Sequence, residues 1–502
     1  MLRLVTLFAL CLYTSYAWRR PLLLHGRPEN GMLKPPSCGY CERDEPANEQ
    51  WFTQYLDHYD PQNSKTWQQR YFVNESFWTN KEKGPVFLML GGEGPADPVW
   101  LAVNTDMMRN AEKFGALAIL IEHRFYGKSQ PTPDIETNNL RYLSSEQALA
   151  DVANFHGFIV DKYKLTEKNR WISFGGSYSG ALSAWLRIKY PHLISGAVAT
   201  SAPVWPKLNF VEYLEVVQAS LATSKQHEDC PNAVKVATTK LDAMLNNQDQ
   251  WSSVESKFSI KPSLQDKNDV MNLASTLAGT FMGVVQYNRD NRAFEGATDN
   301  HTLDDLCDVM TDTSLGDELD RYAAVNSAYL KLTGQDHLDV RYQEFVDFMK
   351  GGVTWDSPAA EGARQWFYQT CSEFGYYQTS DSDNQPFGKM FPLSFAVQQC
   401  QDVFGPEYNQ TFISSRIAWT TANYGSKNIS KDVQNIVFPN GAIDPWHALG
   451  ILKSLNPFTT AVYIMGTAHC ANMYPPRKED LQTLVNARQT ISHRVGEFLT
   501  KG

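Results

Sequence analysis

Short, uninterrupted apolar runs are the feature that most constrains the fold of this chain. Its first block contains PVFLML (85–90), ALAILIE (116–122), WISF (171–174) and GAVATS (196–201). Such runs are typical of parallel strands that are covered on both faces. Helical patterns lie between them, so the sequence predicts an α/β fold with a mostly parallel, doubly wound sheet.

The predicted helices of this block have recognisable beginnings. SSEQALADVANFHGFIVDKYKL starts with a capping box formed by Ser144 and Gln147, and apolar residues follow at helical spacing. A second helix is predicted over 179–190, directly after the run WISF.

The alternation stops near Pro206 and resumes with NIVFPNG (435–441), AVYIMG (461–466) and a long helix after Pro476. Between the two blocks the sequence is mostly amphipathic helix. An α/β core interrupted by a helical cap of ordinary domain size explains this order. The predicted boundaries are 50–205 plus 405–502 for the core and 206–404 for the cap.

Residues 1–17 have the pattern of a secretory signal peptide, with Arg3, an apolar run over 4–12 and the small residue Ala17 at the cleavage site. The run is too short for a membrane anchor, and no later stretch reaches 18 uninterrupted apolar residues, so we expect no membrane span. Residues 18–49 are predicted to be an irregular leader or a pro-segment.

The cysteines and glycosylation sequons fit passage through an oxidising compartment. Seven of the eight cysteines remain after loss of the signal peptide, so at least one thiol is unpaired or bonded to another chain. Cys38 and Cys41 lie in the leader, where a local disulfide is favoured over a redox pair. The four Asn-x-Ser/Thr sequons are at Asn74, Asn300, Asn409 and Asn428.

The charge and motif content exclude several classes of partner. The formal net charge is −10 and no basic patch stands out, which argues against nucleic acid. The sequence contains no H-E-x-x-H motif, no second cysteine pair with zinc spacing and no P-loop, so we expect no metal and no cofactor. The oligomeric state is open, and a homodimer is compatible with the sequence.

Ser177 lies between glycines in FGGSYSG, where a predicted strand meets a predicted helix. A sharp turn there would present its hydroxyl above the sheet as a nucleophile, and small neighbours would let strand and helix approach closely. The strict G-x-S-x-G pattern fails because Ser179 replaces the last glycine. A helix N-cap is the alternative role for Ser177.

Two downstream turns carry residues that could complete a catalytic triad. Asp444 follows the run NIVFPNG and His469 follows AVYIMG, which is the order Ser, Asp, His expected of an α/β-hydrolase. Asp444 before proline could instead form a turn. His447 and His123 compete for the role of base, but His447 lies only three residues beyond Asp444 and His123 precedes the serine.

The loop LGGEGPAD, after the first apolar run, is predicted to complete the site. The backbone N–H groups of Tyr178 and Gly92 would form an oxyanion hole. Glu93 is either a contact for a substrate amine or a turn residue. In the neighbouring segment EHRFYG, Arg124 is expected to pair with Glu122 or Glu93.

These motifs resemble those of a known family of serine exopeptidases, which comprises lysosomal Pro-Xaa carboxypeptidase, dipeptidyl peptidase II and thymus-specific serine protease. The similar segments include GPVFLMLGGEGP, EHRFYGKS, FGGSYSGALSAWLRIKYPHL, QWFYQTCSEFGYYQ, NGAIDPWH and GTAHC. They span the chain from about residue 50 to its end, and the thymus-specific branch is the most similar.

The resemblance implies an α/β-hydrolase fold with a helical cap and the triad Ser177, Asp444 and His469. It also implies that Trp446 lines a proline-accepting pocket. Ala181 and Met473 depart from the residues common at their positions in proline-cleaving members, which puts a strict proline preference in doubt. The implied disulfides are Cys230–Cys307 and Cys371–Cys400, which leaves Cys470 as the unpaired thiol.

The predicted function is therefore that of a secreted or endo-lysosomal serine peptidase that forms an acyl-enzyme. The resemblance implies peptide substrates cleaved near a chain end, often beside proline. An esterase or lipase on the same fold, or a non-catalytic binding protein, is the alternative.

Overall fold

The computed structural model describes residues 24–28, 31–36, 48–102, 104–289, 301–429 and 432–500. The predicted signal peptide, Cys38, Cys41 and the sequon at Asn300 lie outside the described residues. No helix within the described ranges is long and apolar enough to cross a membrane.

The fold is built around one eight-stranded sheet. Its strands lie side by side, each hydrogen-bonded to the next, in the order β1-β2-β4-β3-β5-β6-β9-β10. All its neighbours are parallel except β1 with β2 and β2 with β4. A separate parallel pair is formed by β7 and β8. The strands are β1 Glu49–Tyr55, β2 Thr66–Asn74, β3 Val86–Leu90, β4 Leu117–Ile121, β5 Trp171–Gly176, β6 Gly196–Thr200, β7 Lys207–Asn209, β8 Gly375–Tyr377, β9 Ile436–Gly441 and β10 Thr459–Ile464.

Sixteen α-helices accompany the strands within the described residues. They are α1 Val99–Ala102, α2 Asp106–Phe114, α3 Thr137–Leu140, α4 Ser145–Tyr163, α5 Tyr178–Lys189, α6 Glu212–Leu221, α7 Asp229–Leu245, α8 Trp251–Phe258, α9 Lys267–Gln286, α10 Leu303–Thr311, α11 Glu318–Leu332, α12 Tyr342–Gly351, α13 Ala363–Gln369, α14 Leu393–Phe404, α15 Gln410–Tyr424 and α16 Gln482–Thr500.

The apolar runs form the central strands because both faces of the sheet are covered. Phe87 and Phe174 belong to a buried layer with Val495 and Phe498 of α16. Leu88 and its neighbours on the opposite face pack with α4 and α5. The α/β class and the mostly parallel sheet are therefore confirmed, and the architecture is that of an α/β-hydrolase.

Strands β1 and β2, which bring the antiparallel pairing into the sheet, were not predicted. Strand β1 lies at the edge of the sheet and alternates exposed and partly covered residues, and β2, beside it, exposes Thr66 and Gln68. Neither strand has the continuous apolar run of a parallel strand that is covered on both faces, so the sequence contains no comparable signal for them.

The helical stretch inserted between β6 and β9 holds α6 to α15, and we call residues 201–435 the insert. Two disulfides brace it, Cys230–Cys307 between α7 and α10 and Cys371–Cys400 between a π-helical turn and α14. Helix α15 packs against both that turn and α5 of the core. The exact limits of a cap domain at 206 and 404 stay a prediction.

Candidate active site

Ser177 occupies a strained turn between β5 and α5. Its backbone has φ 59° and ψ −128°, a region that residues with side chains rarely adopt. The turn is held by the Ser177 N–H, which donates to the Thr200 carbonyl on β6 at 3.0 Å, and by the Ser177 carbonyl, which accepts from Ala181 N–H at 3.0 Å. Strain of this kind at a strand–helix turn is typical of a serine nucleophile.

The small residues around the turn are required by close backbone approach. A Cβ atom on Gly175 would lie 2.0 Å from the Ser179 carbonyl oxygen, and one on Gly180 would lie 2.4 Å from that of Thr200. Ser179 replaces glycine without strain because its hydroxyl donates to the Gly176 carbonyl at 2.8 Å and accepts from the Gly176 N–H at 3.0 Å. The departure from the strict motif therefore leaves the turn intact.

Asp444 and His469 form a buried pair at the carboxyl ends of β9 and β10. Nδ1 of His469 lies 2.9 Å from Oδ2 of Asp444, and both side chains are inaccessible to solvent. The other carboxylate oxygen, Oδ1, accepts from the Trp446 N–H at 3.0 Å. Burial by itself would lower the pKa of His469, but the charge of Asp444, together with Cys470, raises it well above its ordinary value.

The loop that carries His469 lies directly against the serine turn. A Cβ atom on Gly176 would be 2.4 Å from Sδ of Met473 and 3.0 Å from Sγ of Cys470. The Cys470 N–H also donates to the Ser201 hydroxyl at 3.0 Å. The structure thus brings the three predicted loops together at one edge of the sheet, and Cys470 is buried and in no disulfide.

The two competing histidines have other partners. Nδ1 of His447 lies 3.2 Å from the Gly441 carbonyl, and burial lowers the pKa of this ring. Nε2 of His123 lies 3.0 Å from the Tyr178 hydroxyl, and burial lowers its pKa to about 4. Neither ring makes the 2.9 Å contact with Asp444 that His469 makes.

The predicted oxyanion-hole residues lie beside Ser177. Tyr178 is the first residue of α5, so its N–H is one of those that an α-helix leaves without a partner within the helix. A Cβ atom on Gly92 would lie 3.3 Å from the Ser179 Cβ, which places this loop against the beginning of α5. Both backbones are therefore next to the serine turn, and their role as an oxyanion hole stays a prediction.

Trp446 belongs to a buried cluster of aromatic rings next to the pair. Its ring is fully buried and meets those of Phe210, Tyr213 and Tyr376 at centroid distances of 5.4–5.9 Å. Its Nε1–H donates to Oε1 of Gln286 at 2.9 Å, and the Tyr213 hydroxyl donates to the same oxygen at 2.6 Å.

Gln286 and Tyr287, at the end of α9, were missed by the sequence analysis. The Gln286 carbonyl accepts from the His469 N–H at 3.0 Å, and the Tyr287 ring stands edge-on to that of His469. Their only sequence signal is a polar pair after an apolar helical stretch. Tyr287 also lines a cavity of about 470 Å³ between the insert and the leader residues Pro28 and Lys34.

Glu93 is buried and contacts the leader. Its Oε1 accepts from the Met32 N–H at 2.7 Å, and its backbone carbonyl accepts from Nε of Arg27 at 2.7 Å.

The expected pairing of Arg124 was wrong. Arg124 binds both oxygens of Asp151, whose side chain comes from α4, whereas Glu122 pairs with Arg70. The partner of each arginine is set by the packing of segments that are far apart in the sequence, so the local motif does not reveal it.

The sequons that the structure describes differ in accessibility. Asn409 and Asn428 are exposed, and Asn409 also caps α15 by accepting from the Phe412 N–H. Asn74 is half-buried, and its amide donates to the Leu101 carbonyl at 2.8 Å.

Comparison with known proteins identifies the family. Residues 54–491 match the model of the serine carboxypeptidase S28 family. Human thymus-specific serine protease is 32% identical over 89% of this chain and 86% of its own, and a Caenorhabditis elegans protein provisionally named a serine protease is 37% identical over 94% and 92%. Human lysosomal Pro-X carboxypeptidase is 27% identical over 87% and 85%.

Among solved structures, a proline iminopeptidase of Mycobacterium smegmatis aligns with 90% of this chain and 99% of its own, at 11% identity and a TM-score of 0.38. That likeness is too weak to carry an argument about function. The family match, by contrast, favours a peptidase over the esterase and the non-catalytic alternatives. The chain belongs to the serine carboxypeptidase S28 family and is a serine-type peptidase.

Proposed function

We propose that this peptidase works through an acyl-enzyme, with Ser177 as nucleophile, His469 as base and Asp444 as the group that orients and stabilises the imidazole. The observation that carries the proposal is the buried 2.9 Å contact between Nδ1 of His469 and Oδ2 of Asp444 beside the strained Ser177 turn. A carboxylate at Nδ1 leaves Nε2 as the nitrogen that exchanges a proton with the serine.

In the proposed reaction, Oγ of Ser177 attacks the carbonyl carbon of the scissile bond while His469 takes the hydroxyl proton. The N–H groups of Tyr178 and Gly92 stabilise the resulting oxyanion. The carbon–nitrogen bond then breaks, and His469 gives the proton to the departing amine. Water repeats the sequence on the ester and releases the acid with Ser177 restored.

We propose that a pocket beside Trp446 accepts a proline ring. A rigid indole fixed by its Nε1 bond to Gln286 offers a flat apolar wall, and three further aromatic rings surround it. The family likeness to a Pro-X carboxypeptidase supports this specificity. Met473, which departs from the residue common at its position in proline-cleaving members, lies with its sulfur against Gly176, next to the serine.

We further propose that the enzyme reads a chain end and that Glu93 favours the amino end. Its carboxylate is buried in the loop after β3, beside the serine turn. It accepts a hydrogen bond from the backbone N–H of Met32, which belongs to the leader. A carboxylate at this place attracts a substrate ammonium and repels a substrate carboxylate. The cavity lined by Tyr287 would receive other parts of the peptide.

The proposed location is the secretory pathway, with secretion or delivery to lysosomes. Two disulfides and the exposed sequons at Asn409 and Asn428 support it. The lysosomal name of one relative agrees with it.

A fluorophosphonate label followed by peptide mapping tests the mechanism. We expect a single adduct on Ser177, no adduct in Ser177→Ala, and loss of peptide hydrolysis in that variant. Hydrolysis retained by Ser177→Ala would refute the assignment. A panel of Xaa-Pro peptides with a free or acetylated amino end then tests the end that is read, and we expect acetylation to weaken binding and slow cleavage.

A further inference from the structure

Part of the leader lies inside the proposed active site. We call residues 24–28 and 31–36 the leader segment. Gly26, Arg27, Pro28, Gly31 and Met32 are all buried, although none of these five residues belongs to a strand of the sheet. A segment of mixed polarity is buried to this extent only where a cleft receives it.

Three protein groups bind the leader backbone, one from the loop after β3 and two from the end of α9. The Met32 N–H donates to Glu93 at 2.7 Å and the Met32 carbonyl accepts from the Tyr287 hydroxyl at 2.9 Å. The Gly26 carbonyl accepts from Nε2 of Gln286 at 2.9 Å. Recognition through backbone groups is the way in which a protease cleft holds a peptide, so the leader segment occupies the place of a substrate.

The leader also covers the indole ring of Trp446. A Cβ atom on Gly26 would lie 2.4 Å from Cζ2 of Trp446, so the glycine backbone rests directly on the indole. Arg27 anchors this part, since its guanidinium donates to the carbonyls of Glu93 at 2.7 Å and Glu361 at 3.2 Å. A substrate proline therefore cannot contact the indole of Trp446 while the leader is bound there.

The thioether of Met32 faces the nucleophile. The Ser177 hydroxyl donates to Sδ of Met32 at 2.9 Å, and Ser177 is fully buried in this arrangement. A thioether offers no electrophilic carbon for acyl transfer, so the leader is held without being cut at this position. The hydroxyl proton is also directed to sulfur and away from a base.

We propose that the leader segment is a built-in inhibitor of the peptidase site, and that cleavage of the chain between it and β1 releases the activity. The proposal rests on the peptidase mechanism given above. The opposite hypothesis is that the leader is a permanent part of the active enzyme, and the following experiment separates the two.

The experiment uses the full chain with a recognition sequence for a specific protease inserted between Cys41 and Asn48. The protein folds intact, is cut, and is then separated from the leader peptide. Labelling of Ser177 by a fluorophosphonate and hydrolysis of an Xaa-Pro peptide are measured before and after the cut. We expect both rates to rise at least about tenfold, which corresponds to a docking free energy of only about 1.4 kcal/mol.

Equal rates before and after the cut would overturn the inhibitor role and leave the peptidase mechanism standing. Loss of activity on removal of the leader would also overturn it, in favour of a permanent role. Absence of labelling in both forms would refute the peptidase mechanism and the inhibitor role together.

Substitutions within the leader give a second test that leaves the catalytic groups untouched. Arg27→Ala combined with Met32→Ala should raise the labelling rate of the uncut chain and leave the cut, leader-free enzyme unchanged. Pro35→Ala, at a half-buried leader residue outside these contacts, is the matched control and should behave as the parent chain. An uncut double variant labelled no faster than Pro35→Ala would contradict the proposal.

Discussion

Acid should weaken the docking of the leader through His25. This ring stacks on Phe367 at a centroid distance of 5.3 Å and stands edge-on to Tyr377 at 5.2 Å. Burial lowers the pKa of His25 from 6.5 to about 4, and Tyr377, the titratable group that faces it, stays neutral because burial raises its pKa. Docked His25 is therefore neutral, whereas a released leader takes up a proton below pH 6.5.

The sign and size of the effect follow from the two pKa values of His25. Docking is at full strength above pH 6.5 and weakens as the pH falls towards 4, because protons bind the released state preferentially. Between pH 7.5 and pH 5.0 the docking constant should fall roughly 30-fold, or about 2 kcal/mol. An acidic compartment would thus favour release of the leader.

The assay is the dissociation constant of a peptide with the sequence of residues 24–36 for cut, leader-free Ser177→Ala protein, which cannot turn the peptide over. The same peptide with His25→Phe keeps the stacking but cannot be protonated, so its affinity should change with pH only through groups on the enzyme. The ratio of the two pH dependences isolates His25 and should be roughly 30. Equal pH dependence of the two peptides would refute the reasoning.

Three further predictions concern the site itself. Asp444→Asn should lower kcat by about 10⁴-fold with the fold retained, because the imidazole loses its orienting charge; circular dichroism checks the fold, and a loss below tenfold would contradict this role. Ser177→Gly should raise the free energy of unfolding in urea by about 1 kcal/mol relative to Ser177→Ala, since glycine relieves the strain at φ 59°; equal stability would show that the turn is not strained. Glu93→Gln should raise KM for peptides with a free amino end at least about tenfold and leave it unchanged for amino-acetylated analogues, as expected when one charged contact is lost; an equal effect on both would exclude recognition of the ammonium.

The sequence predicted the centre of the fold better than its edge. Strands β3, β4, β5, β6 and β9 are buried throughout, so they are recognisable as uninterrupted apolar runs. Strand β10 lies at the other edge of the sheet and is partly exposed, but its apolar run still revealed it. The capping box of Ser144 was only half right. Ser144 accepts from the Gln147 N–H, but the Gln147 side chain turns away to Asp57 because β1 and its following loop pack there.

Residues of the candidate site were predictable where chain order carries information. Ser177, Asp444 and His469 each follow a strand in the order that an α/β-hydrolase requires. Gln286 and Tyr287 could not be found in this way, because they come from the insert and reach the site only through the packing of α9. The occupation of the cleft by Met32 depends on contacts across more than a hundred residues, for which the sequence has no local pattern.

The central claim is that three distant loops form one catalytic centre, and a crystal structure of the leader-free enzyme after reaction with a fluorophosphonate tests it most directly. The account predicts phosphorus bonded to Oγ of Ser177, its oxygen about 3 Å from the backbone nitrogens of Tyr178 and Gly92, and Nε2 of His469 within hydrogen-bond distance of Oγ. Phosphorus on another side chain, or an imidazole of His469 turned away from Oγ with Asp444 still bound to it, would contradict the account.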